Sequence, residues 1–206
     1  EIFDAKDKLM SRFNTLSSIC SIRNTVDTRD KFYEEEQEYL DGQYPLVSEK
    51  VQAFNKVLVT SPFRRELEEK LGALLFTNIE LELKSFSPEI VPLLQEENRL
   101  STEYQKLYAS ARIEFMGKTV TIAQLGPYKQ DPDRTVRKAA IEAEGGFFDQ
   151  HRQELDELYD KLVKNRTEQA KKLGFENYVP LGFIRMGRNC YTPEDLSSFR
   201  SQVVRD

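Results

Sequence analysis

The scarcest residues limit what this 206-residue chain can do, since it has no tryptophan, two cysteines and a single histidine. Cys20 and Cys190 stand far apart in the sequence, which predicts buried or reduced thiols in a cytoplasmic protein instead of a disulfide framework. One histidine and two distant cysteines do not make a three-ligand site. We therefore expect this chain alone to bind neither structural nor catalytic zinc.

Long apolar runs and excess positive charge are also missing. No run of 18 apolar residues is present, so we expect no membrane-spanning segment. The net charge of −5 weighs against a nucleic-acid partner, whose phosphates call for a concentrated basic face. The chain does not begin with methionine, so we expect its start to be an engineered or processing boundary, and an upstream signal peptide stays open.

Motifs of nucleotide and nucleophilic chemistry are absent as well. The sequence has no GxGxxG, no Walker loop and no GxSxG. Cys20 or Cys190 could pair with His151 in principle, but nothing in the sequence marks either thiol as activated. The 35 acidic residues leave a carboxylate pair open, although no spacing singles one out. His151 stands among charged residues and is interpreted as a surface residue.

The residues that are present predict an ordered, mainly α-helical fold. Hydrophobic residues make up 39% of the chain, with 13 Phe and 9 Tyr, which favours a globular protein over a disordered one. The first helix is expected to carry its apolar face at Leu9, Phe13, Leu16 and Ile19. A second long helix should follow, bent or interrupted at Gly42 and Pro45.

Capping residues followed by proline predict further helix starts. These pairs are Ser61-Pro62, Ser87-Pro88 and Asp131-Pro132. The helix from Ser61 is expected to continue to about Ser85. Pro92 should make the start of the next long helix irregular, because its missing amide is needed there. Gly145 and Gly146 weaken the helix after Asp131, and a break is predicted between Asp149 and Gln153.

One segment, Arg112 to Ile122, reads as a β-hairpin. Apolar and polar residues alternate on both sides of Met116-Gly117, a pair suited to a tight turn. We expect its apolar side chains to be divided between two faces, one of them covered by helices, because two strands alone are marginal in water. The predicted fold is thus a mainly α, multi-helix domain with one small hairpin. Residues 1–110 and 111–206 are expected to be two regions of one compact unit.

The stretch from Ala170 to Leu196 is the most distinctive part of the chain. Gly174 is suited to end one helix, and Thr192-Pro193 to begin another. Between them we predict a loop crowded with aromatic and cationic residues, namely Phe175, Tyr178, Phe183, Arg185, Arg188 and Tyr191. On the residues alone, a connector between two helices is the simpler interpretation and a recognition surface is the alternative.

Four segments of the chain, taken together, resemble successive regions upstream of the zinc site in oligoendopeptidase F, a zinc metallopeptidase related to thimet oligopeptidase. They are SSICSIRNTVDTRDKFYEEEQEYLD, SPFRRELEEKLGALLF, IEFMGKTVTIAQLGPYKQDPDRTVRKAA and KKLGFENYVPLGFIRMGRNCYTPEDLSSFRSQV. Asn24 departs from the family pattern, which has a histidine there. The resemblance covers nearly the whole chain in order.

This resemblance implies a function for the longer protein to which the chain would belong, here called the parent protein. The family binds zinc through a His-Glu-x-x-His helix and hydrolyses internal peptide bonds of oligopeptides. His151 has no second histidine after it. The chain is therefore interpreted as the N-terminal, cleft-forming region of a cytoplasmic zinc oligoendopeptidase, inactive alone. Its partners would be the parent's C-terminal catalytic domain and an oligopeptide, with neither nucleic acid nor membrane involved.

Arg185, Arg188 and Tyr191 are the candidate residues for substrate binding or for contact with the catalytic domain. Guanidinium groups can hold a peptide carboxylate through two hydrogen bonds, and a tyrosine hydroxyl can bond a peptide backbone. The competing interpretation is that these side chains fix the loop to neighbouring helices. For the chain as a whole, the alternative function is a non-enzymatic helical interaction module or a degenerate family member.

Overall fold

The structure, a computed structural model, describes residues 1–205. Helices dominate this range, and the predicted mainly α fold with one small hairpin is confirmed. The elements in order are α1 Ile2–Val26, α2 Lys31–Val59, α3 Arg64–Leu71, α4 Ala73–Lys84, α5 Val91–Ala109, β1 Ile113–Phe115, β2 Lys118–Val120, α6 Ile122–Leu125, α7 Arg134–Gln150, α8 Arg152–Lys172, α9 Tyr178–Arg185 and α10 Ser197–Arg205. Asp206, the end of the predicted second region, lies outside the described residues.

The chain forms two compact units. Unit 1 comprises Glu1–Tyr44 and Gln95–Lys164, and unit 2 comprises Pro45–Leu94 and Asn165–Asp206. The boundaries fall inside α2, α5 and α8. The expectation of two regions divided after residue 110 within one compact unit stays a prediction.

The hairpin lies in unit 1 and closes through a left-handed turn. Met116 has a φ of 49° and Gly117 a φ of 75°, the conformation of a two-residue turn that matches strand twist. Ile113 pairs with Val120, so these two residues and Phe115 share one face of the sheet. The prediction that the apolar residues divide between two faces was therefore wrong, because the pairing register gathers them on one side.

Ile122, predicted as the last residue of the hairpin, belongs instead to α6. The Thr121 hydroxyl accepts a hydrogen bond from the Gln124 amide, and the Gln124 side chain accepts one from the Thr121 amide. This capping box ends β2 and begins the helix. The hairpin and its helices bury one cluster, formed by Ala111, Ile113, Phe115, Val120, Ile122, Leu125, Ala140 and Phe147. Because Ala140 and Phe147 belong to α7, the predicted coverage of the hairpin by helices is confirmed.

One predicted helix was wrong. The expected single helix from Ser61 to Ser85 is divided into α3 and α4 at Gly72, whose φ of 94° is left-handed and incompatible with a continuous helix. The α2 helix is not interrupted at Gly42 or Pro45, and a bend there, the other expected outcome, stays a prediction. Pro45 is buried, so packing compensates for the hydrogen bond that proline removes.

Some of the helix starts predicted from a capping residue and a proline agree with the structure, and others do not. Asp133 caps α7 by accepting hydrogen bonds from the Thr135 amide and hydroxyl, both at 2.8 Å. A short 3-10 helix, Pro88–Ile90, precedes α5, which confirms the irregularity expected around Pro92. The Ser87 hydroxyl, however, makes no capping hydrogen bond. The predicted break between α7 and α8 is confirmed at His151.

The apolar face predicted for α1 is largely exposed. Leu9, Leu16 and Ile19 are 68%, 57% and 47% exposed. The buried residues of α1 are Cys20 and Asn24, which lie four apart on the side of the helix that also carries the half-buried Phe13. The buried face therefore overlaps only one edge of the predicted apolar stripe, and Leu9 and Leu16 are left exposed.

Within residues 1–205, no helix is both long enough and apolar enough to cross a bilayer.

Candidate functional site

The candidate residues follow the end of α8 in unit 2. Gly174 has a φ of 83°, and the Phe175 amide donates to the Ala170 carbonyl at 2.9 Å, so the chain closes the helix in a left-handed turn. The predicted helix end is confirmed. Cations at Lys171 and Lys172 also suit the negative end of the helix dipole.

A helix occupies much of the segment predicted to be a loop. The Asn177 side chain caps α9 by accepting a hydrogen bond from the Val179 amide at 2.9 Å. Pro180 is tolerated because it sits in the first turn, where an amide has no intrahelical partner. The prediction of a continuous loop in this segment was therefore wrong. Arg185 is the last residue of α9, while Arg188 and Tyr191 follow the helix.

Arg185 belongs to a chain of polar contacts inside unit 2. Its Nη2 donates to Gln169 Oε1, and Gln169 Nε2 donates to Asn165 Oδ1. Asn165 Nδ2 in turn donates to the Leu93 carbonyl at 3.0 Å. Gln169 and Asn165 are buried. Since buried amides are costly without partners, this network fixes the Arg185 side chain in position.

Two guanidinium groups lie close to the Tyr178 ring. Arg166 and Arg185 have their Cζ atoms 5.7 and 5.8 Å from the ring centroid, within the range of cation–π attraction. A Cβ atom on Gly182 would lie 3.3 Å from the Tyr178 ring. Glycine at this position therefore lets the ring lie against α9.

Arg188 lies against two aromatic rings. Its Cζ is 4.4 Å from the Phe183 centroid and 5.7 Å from that of Tyr191, and the rings stand at 75° to one another. In the part of the chain that the structure describes, the Arg188 guanidinium has no ion pair and no hydrogen bond. Its donors are held in a preferred place by the rings and stay available to an acceptor.

Two further contacts fix the segment after α9. Asn189 Nδ2 donates to Asn78 Oδ1 on α4 at 2.7 Å. The Thr192 amide donates to Asp195 Oδ2 at 2.7 Å, and the Asp195 amide donates to the Thr192 hydroxyl at 3.4 Å. The predicted cap at Thr192 is thus formed, but α10 begins at Ser197 instead of Pro193.

The structure brings Arg188 and Tyr191 together and gives Arg185 a different set of partners. The assignment of all three to substrate or domain contact stays a prediction. Sequence reasoning missed Asn165 and Gln169. They continue the apolar stripe of Leu158 and Leu162 at helical spacing, and polar residues on such a stripe are the pattern that could have indicated a buried network.

Metal-binding groups do not cluster in the described residues. No group of three or more His, Cys, Asp or Glu side chains is placed to hold a metal ion in residues 1–205. His151 Nδ1 lies 3.2 Å from Glu154 Oε2, and its ring packs on Phe147. Burial, followed by the nearby carboxylates, raises the pKa of the Cys20 thiol above its usual value, which is the opposite of activation.

Known proteins resemble this chain closely in sequence and fold. The profile of the peptidase M3 N-terminal domain matches residues 1–86. A solved structure described as an oligoendopeptidase F is 47% identical, with a TM-score of 0.90 over 95% of this chain. The chain belongs to the oligoendopeptidase F-like M3 peptidases.

Two other solved structures have a similar degree of identity to this chain. PZ peptidase A with an inhibitor is 49% identical over 95% of this chain, and an oligoendopeptidase F of Bacillus anthracis strain Ames is 45% identical over 97%. Both have a TM-score of 0.90. The chain spans 35–37% of the length of these three structures. No curated protein sequence matches it.

Proposed function

We propose that this chain forms the N-terminal, cleft-lining region of a zinc-dependent oligoendopeptidase that hydrolyses internal peptide bonds of short peptides. One observation carries the proposal. Sequence identity of 45–49% and a TM-score of 0.90 extend over at least 95% of the chain, to structures whose names are those of peptidases. The chain spans only 35–37% of those structures, so the reaction would require the rest of the parent protein.

We infer that residues 1–205 do not supply a zinc site. Its single histidine contacts Glu154 and Phe147, Cys20 is buried, and Cys190 is exposed in the other unit. A catalytic zinc needs three protein ligands around one point. We propose that the ligands lie in the part of the parent protein outside this chain.

Arg188 is the strongest of the three candidates for holding a peptide. Two rings position its guanidinium, and its donors have no partner in residues 1–205. A guanidinium with free donors can bind a carboxylate through two hydrogen bonds. Tyr191, whose side chain is 38% exposed, could add a hydroxyl to the same surface. Arg185 would hold the end of α9 in position and would not contact the peptide itself, because its guanidinium donates to Gln169.

The exposed face of α10 would contact the catalytic domain. Phe199, Val203 and Val204 are 65%, 61% and 87% exposed. Phe199 and Val203 lie four residues apart and so share a face of the helix. Burying a large apolar side chain is worth about 1.5–3 kcal/mol, which favours coverage of this face by the rest of the parent protein. The helical-module alternative would use the same face for a different protein.

A peptidase assay on the parent protein tests the proposed function. We expect it to cleave a quenched fluorescent octapeptide at an internal bond, to lose this activity in a zinc chelator and to regain it with added zinc. The isolated 206-residue chain should show neither turnover nor stoichiometric zinc. Turnover by this chain with one bound zinc, or chelator-resistant activity of the parent protein, would contradict the proposal.

A further inference from the structure

Unit 2 contains a cavity away from the Arg188 loop, with a volume of about 550 Å³. One wall is a face of α2 whose residues recur at helical spacing, and the other is the end of α4 with the segment that follows it. The lining residues from α2 are Glu49, Lys50, Gln52, Ala53, Lys56 and Val59. The opposite wall is formed by Leu83, Phe86, Ser87 and Pro88.

The inner surface of this cavity is mostly apolar. Val59, Leu83 and Phe86 supply aliphatic and aromatic surface, and Ala53 leaves room between them. Ligand pockets of proteins commonly have volumes of about 300–1,000 Å³ and combine an apolar lining with a few polar groups. The volume therefore suits one large apolar side chain together with the backbone atoms that carry it.

Two lining residues have buried oxygen atoms without a hydrogen-bond partner in residues 1–205, namely Gln52 Oε1 and Ser87 Oγ. Ser87 was expected to cap a helix, but its carbonyl accepts from the Ile90 amide at 3.1 Å while its hydroxyl does not cap. Buried acceptors without donors are unfavourable. A ligand that donates a hydrogen bond would relieve this, after a side-chain rotation that turns the oxygen towards the cavity.

Charge at the cavity favours an anion. Lys50 and Lys56 both line it, and neither forms an ion pair within the described range. Glu49 is the one acidic side chain in the lining, so the lining residues carry a net charge of +1 from two lysines and one glutamate. An ammonium with no protein partner attracts a carboxylate, with the modest strength of an exposed pair.

We propose that this cavity binds a hydrophobic residue that bears a free carboxylate and a donor N–H, as the C-terminal residue of a short peptide does. The apolar lining accepts the side chain, Gln52 accepts the N–H hydrogen bond, and Lys56 pairs with the carboxylate. This site does not depend on the proposed peptidase function, because binding alone is required of it.

The test is a titration of the 206-residue chain with N-acetyl-L-phenylalanine, followed by two-dimensional NMR. We expect saturable shifts at Gln52, Ala53 and Ser87. N-acetyl-phenylalaninamide lacks the carboxylate and should bind two- to fivefold more weakly, as expected for one exposed ion pair. 3-Phenylpropionate lacks the N–H and should bind about tenfold more weakly, as expected for one hydrogen bond.

Variants separate the cavity from the rest of the surface. Gln52→Leu should weaken binding of the acetylated amino acid about tenfold and leave binding of 3-phenylpropionate unchanged. Lys56→Gln should weaken binding of N-acetyl-L-phenylalanine by the same factor as replacing its carboxylate with an amide. Lys70→Gln, on α3 and outside the lining, is the control and should leave binding unchanged. Because the ligand series on the unaltered chain uses no substitution, an unfolded Gln52→Leu variant does not remove the test.

Three results would overturn the proposal. The first is absence of saturable binding up to about 10 mM, the weakest range in which a small pocket is useful. The second is shifts that map elsewhere in unit 2. The third is binding to this chain that disappears in the parent protein, because the rest of that protein would then fill the cavity.

Discussion

The hairpin core of unit 1 and the Arg185 network of unit 2 hold their surroundings in place by different chemistry. The hairpin core is a cluster of apolar side chains around Phe115, Leu125 and Phe147. The Arg185 network is a line of amides that joins a guanidinium to a backbone carbonyl through Gln169 and Asn165. The stabilisation by apolar packing depends mainly on the area removed from water. A network of hydrogen bonds, in contrast, leaves its other members unpaired when one residue is replaced.

This difference explains which parts could be predicted. The alternation of Ile113 and Phe115 with polar residues, and the Met116-Gly117 pair, are local patterns that predict a hairpin. Nothing near Arg185 in the sequence identifies Gln169 as its partner. Four measurements test this difference between the two regions.

Removing the Phe147 ring should have the largest effect. Phe147→Ala deletes a buried ring from the hairpin core and leaves a cavity, so we expect a loss of about 3–5 kcal/mol in the free energy of unfolding. Urea denaturation followed by circular dichroism measures it. Phe32→Ala, at a ring that is 63% exposed, is the control and should change stability by less than about 1 kcal/mol. Equal effects would mean that the cluster is not a core.

Interrupting the Arg185 network should have the next largest effect. Gln169→Leu keeps the volume but removes the acceptor of Arg185 and the donor to Asn165, with an expected loss of about 1–3 kcal/mol. The control, Gln153→Leu, removes an exposed hydrogen bond to Glu157 and should be close to neutral. If Gln169→Leu is stabilising, an apolar contact replaces the network without loss and the comparison fails.

Two glycines should respond in opposite directions. Gly117→Ala places a Cβ at a φ of 75° in the hairpin turn and should destabilise by about 1–2 kcal/mol. Gly145→Ala lies inside α7, and apart from the nearby backbone of that helix nothing lies within 4 Å of the new Cβ, so it should stabilise by about 0.5–1 kcal/mol. Thermal unfolding of both variants measures these changes in stability. A stabilising effect of Gly117→Ala would contradict the left-handed turn.

Acid should weaken one surface contact of unit 1. Hydrogen bonds from Lys106 and Lys31 lower the pKa of Glu34 from 4.5 to about 2. A folded-state pKa below the unfolded value gives stability that is present above pH 4.5 and lost as the pH falls towards 2. Glu34→Gln should reduce the slope of stability against pH in this window. An unchanged slope, measured by urea denaturation at several pH values, would mean that these ion pairs contribute nothing.

Sequence patterns predicted which elements form better than they predicted where each element ends and which of its faces is buried. The Thr121 capping box and the left-handed Gly72 ended elements that hydrophobic spacing alone would continue. The exposed Leu9 and Leu16 of α1 show that an apolar stripe does not identify the buried face. Of the candidate site, the proximity of Arg188 and Tyr191 follows from their spacing, but the partner of Arg185 depends on tertiary packing.

We propose that this chain is one part of a peptidase whose zinc ligands lie elsewhere in the parent protein. The most direct measurement mixes the 206-residue chain with the separately expressed remainder of the parent protein and follows cleavage of a quenched fluorescent peptide. We expect activity in the mixture alone, and Phe199→Asp on α10 should abolish both association and activity. Cleavage by the chain alone, or a mixture in which Phe199→Asp leaves association and cleavage unchanged, would contradict the account.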